Sequence, residues 1–350
     1  MPLAITHRHE GSIAVRPRPS SLAATVSILL LAPSSTLSAA AEAKAHAYTA
    51  PGLHVKNGRL VEKNGADFVF RGVNHSHAWH ADRTGRALSD IKRLGANSVR
   101  IVLSSGARWT KNDTADVRAV ISRCKANRLI CVLEVHDTTG YGEQAGAVSL
   151  SRAADYWIGV RSALRGEESH VVVNIGNEPY GNNNTDRWAA DTKAAIARLR
   201  AAGLHHALMA DGPNWGQDWS GTMQRQARSV FDADPDHNTL FSVHMYGVYN
   251  SAEKVKHYLD AFTRAKLPLI VGEFGHYHPS GDTDEDTIMA RTKAARIGYL
   301  GWSWSGNSGE DAHLDLSNHF DAKSLTPWGQ RLFHGADGIK QTAREAAVYR

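Results

Sequence analysis

From about residue 53 onward the chain switches repeatedly between two hydrophobic periods. Short apolar runs ("FVFRGVN", "SVRIVL", "LICVLEVH", "VVVNIGN", "HALMAD", "LFSVHMY", "LPLIVGE" and "IGYLGWSW") read as strands covered on both faces. Between them, stretches such as "TADVRAVISRCKANR", "RWAADTKAAIARLRAAG" and "SAEKVKHYLDAFTRAK" repeat apolar residues three and four apart, as amphipathic helices do. Ahead of the first unit, "LHVKNGRLVEKNGADFVFRG" sets two Asn-Gly pairs among short alternating runs, which predicts a β-hairpin. Eight strand–helix units predict an α/β fold, a (β/α)8 TIM barrel with a short N-terminal β-hairpin. A doubly wound sheet would want a glycine-rich phosphate turn after its first strand, and "RGVNHSHAW" is not one. No Pro-, Gly- or Ser-rich linker divides residues 51–339, so that span reads as one domain. Residues 340–350 form a short polar tail to which the pattern assigns no role.

Residues 1–43 follow other rules. Arg8, Arg16 and Arg18 precede the apolar "LAATVSILLLA" and then the small residues "LSAAAEA". This is the layout of a secretory signal peptide cut just after Ala41 or Ala43, its core too short to span a bilayer. The expected product is a secreted, extracellular, monomeric protein. Loss of residues 1–41 would take the formal charge of +5 down to +3. So small a charge, without a Lys/Arg stripe, argues against nucleic acid as a partner, and no later segment predicts a membrane helix.

Polar residues cluster where the predicted strands stop: Asn74, Arg100, His136, Asn177 with Glu178, Asp211, His244 with Tyr246, Glu273, and Trp302. In a barrel these ends all face one way, and catalytic groups come from the ends of several strands. Two glutamates in such a ring form the machinery of glycoside hydrolysis, one protonated to donate and one ionised to attack. Six of the nine tryptophans (Trp79, Trp109, Trp215, Trp219, Trp302 and Trp304) follow strand ends and are expected on that rim. An indole face suits the C–H surface of a pyranose. Trp157, Trp188 and Trp328 lie in helical segments and are expected in the core.

"NHSHAWH" offers His75, His77 and His80, an arrangement that metal-dependent barrel hydrolases also use. Those enzymes need further ligands where this chain has Asn-Glu and "GWSWSGN", so catalysis is expected without a cofactor. Asp282, Asp284, Glu285 and Asp286 in "GDTDEDT" are dense enough for a structural Ca2+, or are simply acids at a helix start. Cys124 and Cys131 are the only cysteines. An oxidising destination predicts a disulfide between them, from the end of one helix to the start of the next strand.

Taken in order, "FVFRGVNHSHAW", "NSVRIVLS", "VLEVHDTTGYGEQ", "VNIGNEPYGN", "PNWGQDW", "HMYGVY", "IVGEFGHYH" and "GYLGWSWSGN" resemble clan A glycoside hydrolases of family 5, and closely resemble the bacterial endo-β-1,4-mannanases among them. The resemblance implies a retaining enzyme that hydrolyses internal bonds of mannan, galactomannan and glucomannan, with Glu178 as acid/base and Glu273 as nucleophile. It also implies a substrate-binding shell of Arg100, His136, Asn177, His244, Tyr246 and Trp302. The alternative on the same machinery is an endo-β-1,4-glucanase, because the two sugars differ only at C2. Arg100 and Tyr246 are suited to bond Glu273, and Asn177 to bind the sugar 2-hydroxyl. Trp302 would floor the subsite where the ring distorts, with Trp79 and Trp215 on the walls.

Overall fold

The computed structural model describes residues 52–278 and 281–350; the expected signal segment and cleavage site lie outside the described residues. Eight parallel strands close into a barrel. They are β1 (Arg71–His75), β2 (Ser98–Leu103), β3 (Ile130–Val135), β4 (Val171–Asn174), β5 (Leu208–Asp211), β6 (Thr239–Met245), β7 (Leu269–Phe274) and β8 (Gly298–Gly301). One helix follows each strand: α1 (Thr84–Arg93), α2 (Thr114–Ala126), α3 (Leu150–Leu164), α4 (Trp188–Ala201), α5 (Thr222–Ala233), α6 (Ala252–Ala265), α7 (Glu285–Ala295) and α8 (Pro327–His334). The predicted (β/α)8 barrel is therefore the observed fold. The hairpin pairs His54–Lys56 with Arg59–Val61 across Asn57 and Gly58, both at positive φ. Among the described residues no helix is long and apolar enough to cross a membrane.

Local chemistry fixes the helix starts. Asp113, Ser149, Ser251, Asp284 and Thr326 each accept a backbone N–H of the first turn of the following helix. Strand alternation then builds two apolar layers. Outward residues such as Val99, Ile101, Leu133, Val173 and Phe241 meet the helices, together with the fully buried Trp157 and Trp188. Inward residues Ile130, Val132, Val172, Met209, Leu240, Ile270 and Leu300 fill the N-terminal half of the barrel, closed by Leu60, Phe68 and Phe70.

One step further along the same inward faces the apolar filling stops. Val132 is succeeded by Glu134, Val172 by Asn174 and Met209 by Asp211, all buried. The barrel is thus greasy at its closed end and polar at its catalytic end.

The C-terminal residues are not a loose tail. Ala346 enters the lower core, the Ala347 N–H donates to Glu62 Oε2, and Tyr349 Oη donates to the Leu129 carbonyl at 3.0 Å. They brace the floor of the barrel.

Candidate active site

Arg100, on β2 and fully enclosed, organises the polar layer. Its Nε donates to Asn174 Oδ1 at 2.8 Å, and its Nη1 to Asn74 Oδ1 at 3.0 Å and to Glu273 Oε1 at 2.7 Å. Its Nη2 donates to Asn177 Oδ1 at 2.7 Å and to Asp211 Oδ2 at 3.1 Å. All five guanidinium N–H groups are used, so the side chain is held in one orientation. Burial opposes its charge, but Glu134, Asp211 and Glu273 together drive its pKa still higher.

Glu273, on β7, accepts Arg100 on one oxygen and the Tyr246 hydroxyl on the other, at 2.9 Å. Burial is the largest influence on this carboxyl and raises its pKa. His244 and Arg100 pull the other way, and the facing Glu178 adds to the rise. Glu178 follows β4 in the left-handed region, at φ 40°. A non-glycine residue there is strained and needs support. Its N–H reaches Asp211 Oδ2 at 3.3 Å, and its carbonyl accepts the Gly140 N–H at 2.9 Å.

His244 links the two glutamates. Its Nδ1 donates to Glu178 Oε1 at 2.8 Å and lies 3.4 Å from Glu273 Oε2. Its Nε2 makes an ion pair with Asp211 at 3.3 Å. Burial alone would lower its pKa, but Glu273 and Asp211 outweigh it and raise the imidazole to about 10. Glu178, His244 and Glu273 each bring one polar atom within 4.8 Å of the other two. A closest oxygen approach of this size favours the spacing of a retaining pair, about 5–5.5 Å between carboxyls, over the about 6.5–9.5 Å of an inverting pair.

The ring is placed by close packing. Gly216, at φ +71°, touches the His244 ring so tightly that a Cβ there would lie 2.5 Å from it. Gly140 does the same beneath Trp215, where a Cβ would come within 2.4 Å of the indole. His136 donates through Nδ1 to Glu134 at 2.9 Å and stacks on Trp302, with ring centroids 5.8 Å apart. Burial opposes charging His136, and Glu134 reverses that, so its pKa ends above the ordinary value. Trp79 meets His136 and Trp109 edge to face, forming an aromatic wall. Asn177 spends one N–H on Thr139 Oγ1, and among the described residues its second N–H has no acceptor.

The structure brings together Arg100, His136, Asn177, Glu178, His244, Tyr246, Glu273, Trp302, Trp79 and Trp215 around one end of the barrel. Other expectations need correction. Trp304 is fully buried in the outer core layer, not on the rim. The strand ends at Gly301, so the alternation that would set Trp302 and Trp304 on one face no longer holds. Trp219, by contrast, stays at the surface, 59% exposed, with its indole N–H on Asn182 in the loop after β4.

The acids of "GDTDEDT" do not converge. Asp284 caps α7, Asp286 pairs with Arg331 at 2.6 Å, and Asp282 pairs its backbone with Tyr277 in a two-residue ribbon. Among the described residues they supply no trio of ligand atoms, so this geometry is a helix start. His75 and His77 both bond Thr84 Oγ1, and His77 also bonds Asp116. They tie β1 to α1 and α2 and gather no third metal donor among the described residues. Cys124 and Cys131 are both buried with their Sγ atoms 2.7 Å apart.

Glu134 is the residue that strand ends and motifs did not mark, and Asp211 was marked as a strand end without a role. Each is a fully buried acid on an inward face beside Arg100. A carboxylate interrupting an apolar alternation was the available signal.

The family model of cellulase, glycosyl hydrolase family 5, matches residues 61–308. A mannan endo-1,4-beta-mannosidase of Streptomyces lividans is 60% identical over 301 residues, covering 86% of this chain and 78% of the relative. Another, from Cellvibrio japonicus, is 50% identical over 85% of this chain and 69% of its own length. Among solved structures, the beta-mannanase of Thermomonospora fusca superposes with a TM-score of 0.84 at 57% identity, covering 85% of this chain and 99% of that one. It has also been solved with mannotriose and with mannohexaose. A cellulase structure aligns at a TM-score of 0.65 and 19% identity, a likeness of fold alone. The chain belongs to glycoside hydrolase family 5.

Proposed function

We propose that the protein is a retaining endo-β-1,4-mannanase, cutting internal bonds of mannan, galactomannan and glucomannan by double displacement. One observation carries the mechanism: Glu273 and Glu178 face each other within 4.8 Å, the first with donors on both oxygens. Among the described residues Glu178 Oε2 accepts no hydrogen bond, which leaves it open to carry the acid's proton. In the first step Glu178 passes that proton to the glycosidic oxygen while Glu273 attacks the anomeric carbon. In the second, Glu178 takes a proton from water, which displaces Glu273. The free N–H of Asn177 suits the 2-hydroxyl, a contact that strengthens as the oxocarbenium forms. Trp302, Trp79 and Trp215 supply flat apolar surface for the rings. The mannosidase relatives, 43–60% identical, support mannan as the polymer.

The same reading makes the protein a secreted monomer that needs no cofactor for chemistry, supported by the signal-like N-terminus and by a site whose charges are balanced by side chains. Reducing-sugar release from locust-bean galactomannan, konjac glucomannan and carboxymethylcellulose, measured side by side, tests the substrate. Strong activity is expected on the first two, and preference for the cellulose derivative overturns the mannanase reading.

A further inference from the structure

At the opposite end of the barrel from the glutamates, Arg71 begins β1 with only 2% of its surface exposed. Its guanidinium lies 4.3 Å over the Tyr299 ring, donates Nε to Thr342 Oγ1 at 3.1 Å, and donates Nη1 to the carbonyls of Phe70 and Ile297 at 2.8 Å each. Among the described residues Nη2 has no acceptor and no carboxylate comes within ion-pair distance. Arg100, buried on the neighbouring strand β2, has three acids around it. A buried cation without an opposite charge is costly. Burial accordingly lowers the Arg71 pKa to about 10.

Arg71 lines a cavity of about 250 Å³ between the barrel floor and the C-terminal residues. Arg344 also lines it, exposed, and among the described residues its side chain bonds backbone carbonyls alone, those of Gln341 and Ala343. The acids of the cavity are engaged elsewhere. Asp67 pairs with Arg59 and Arg296, Glu345 with Lys92 and Arg128, and Glu62 accepts the N–H groups of Ala347 and Val348. The space therefore brings the guanidinium groups of Arg71 and Arg344 beside acids whose charge is already shared with other cations or with backbone N–H groups.

We propose that this cavity is a binding site for a small tetrahedral oxyanion, phosphate or sulfate, held between Arg71 on the barrel floor and Arg344 on the C-terminal segment. Guanidinium groups bind such anions through paired N–H donors, and a partly enclosed site strengthens the contact. The bound anion would complete the charge balance around Arg71 and clasp the C-terminal residues to the floor. It would act on stability and not on the distant glutamates.

The test is thermal unfolding of the full protein at pH 7 in potassium phosphate, sodium sulfate and sodium chloride at matched ionic strength, with calorimetric titration of phosphate. A saturable rise in Tm on the order of a few degrees is expected with phosphate or sulfate over chloride. Sulfate and phosphate also stabilise proteins by exclusion from their surface, without saturation. Arg344→Gln, a solvent-exposed change, is the control. It should fold normally, keep its kcat/KM, and lose at least about tenfold in phosphate affinity, since a charge-assisted pair contributes more than about 1.4 kcal/mol. Arg71→Gln should abolish binding if it folds. A Tm that climbs linearly without saturation, or a phosphate isotherm unchanged in Arg344→Gln, overturns the proposal.

Discussion

Oδ2 of Asp211 lies 3.3 Å from Nε2 of His244 and 3.1 Å from Nη2 of Arg100. One carboxylate thereby touches both the cation that holds the acid/base and the cation that holds the nucleophile. It also accepts the strained backbone N–H of Glu178. Burial alone would raise the Asp211 pKa, but His244 and Arg100 dominate and lower it to about 2.

These shifts set a pH window. Folding raises His244 from 6.5 to about 10, so its contribution is whole below 6.5 and is lost as pH climbs through 10. Asp211 falls from 3.8 to about 2, so its contribution is whole above 3.8 and is lost as pH drops through 2. Asp211→Asn should move the alkaline limb of kcat/KM toward neutrality by about one pH unit or more, because His244 loses an opposite charge. A profile that merely scales down without moving would mean that Asp211 only fills space.

Arg100→Lys keeps the charge but offers three donors in place of five. Glu273, Asn177 and Asp211 cannot all be satisfied. The expected result is a fall of about 10²–10³ in kcat with a folded barrel, by analogy with losing one preorganised donor. Circular dichroism and steady-state kinetics check it; near-normal kcat would show that the fork geometry is dispensable.

Cys124 and Cys131 face each other at 2.7 Å under the C-terminal residues. Protein from an oxidising compartment should yield a Cys124–Cys131 linked peptide in non-reducing mass spectrometry. Two thiols that alkylate freely after unfolding would remove the disulfide from the account.

Because Asp284 caps α7 and Asp286 pairs with Arg331, EDTA should leave the melting temperature unchanged. A drop that calcium restores would return "GDTDEDT" to the role of a cation site.

The barrel was legible because its two periods are clean, and the glutamates because each ends a strand. What escaped depends on how strands are staggered. Glu134 sits inside "LICVLEVH", where it looks like one polar interruption. Only the pairing of β2 with β3 shows it facing the interior with Arg100 3.9 Å away. Asp211 was visible as a strand end, but its value comes from three neighbours distant in sequence. Trp304 misled because following a strand end does not by itself put a side chain on the rim; past Gly301 the chain turns it into the outer core. The C-terminal residues misled because their anchors, the Ala346 side chain in the core, the Ala347 N–H, the Tyr349 hydroxyl and the Glu345 ion pairs, are partners distant in sequence that a polar composition does not report.

The central claim is that Glu273 forms a glycosyl-enzyme which Glu178 helps to form and to break. Glu273→Ala should lose hydrolysis almost entirely, while Glu178→Ala should retain activity on aryl mannosides whose leaving groups need no proton. The most direct measurement is proton NMR of the first products released from a mannooligosaccharide, read before mutarotation. A double displacement predicts that the β-anomer appears first. If the α-anomer appears first, a water must fit between the carboxyls, and both role assignments are wrong.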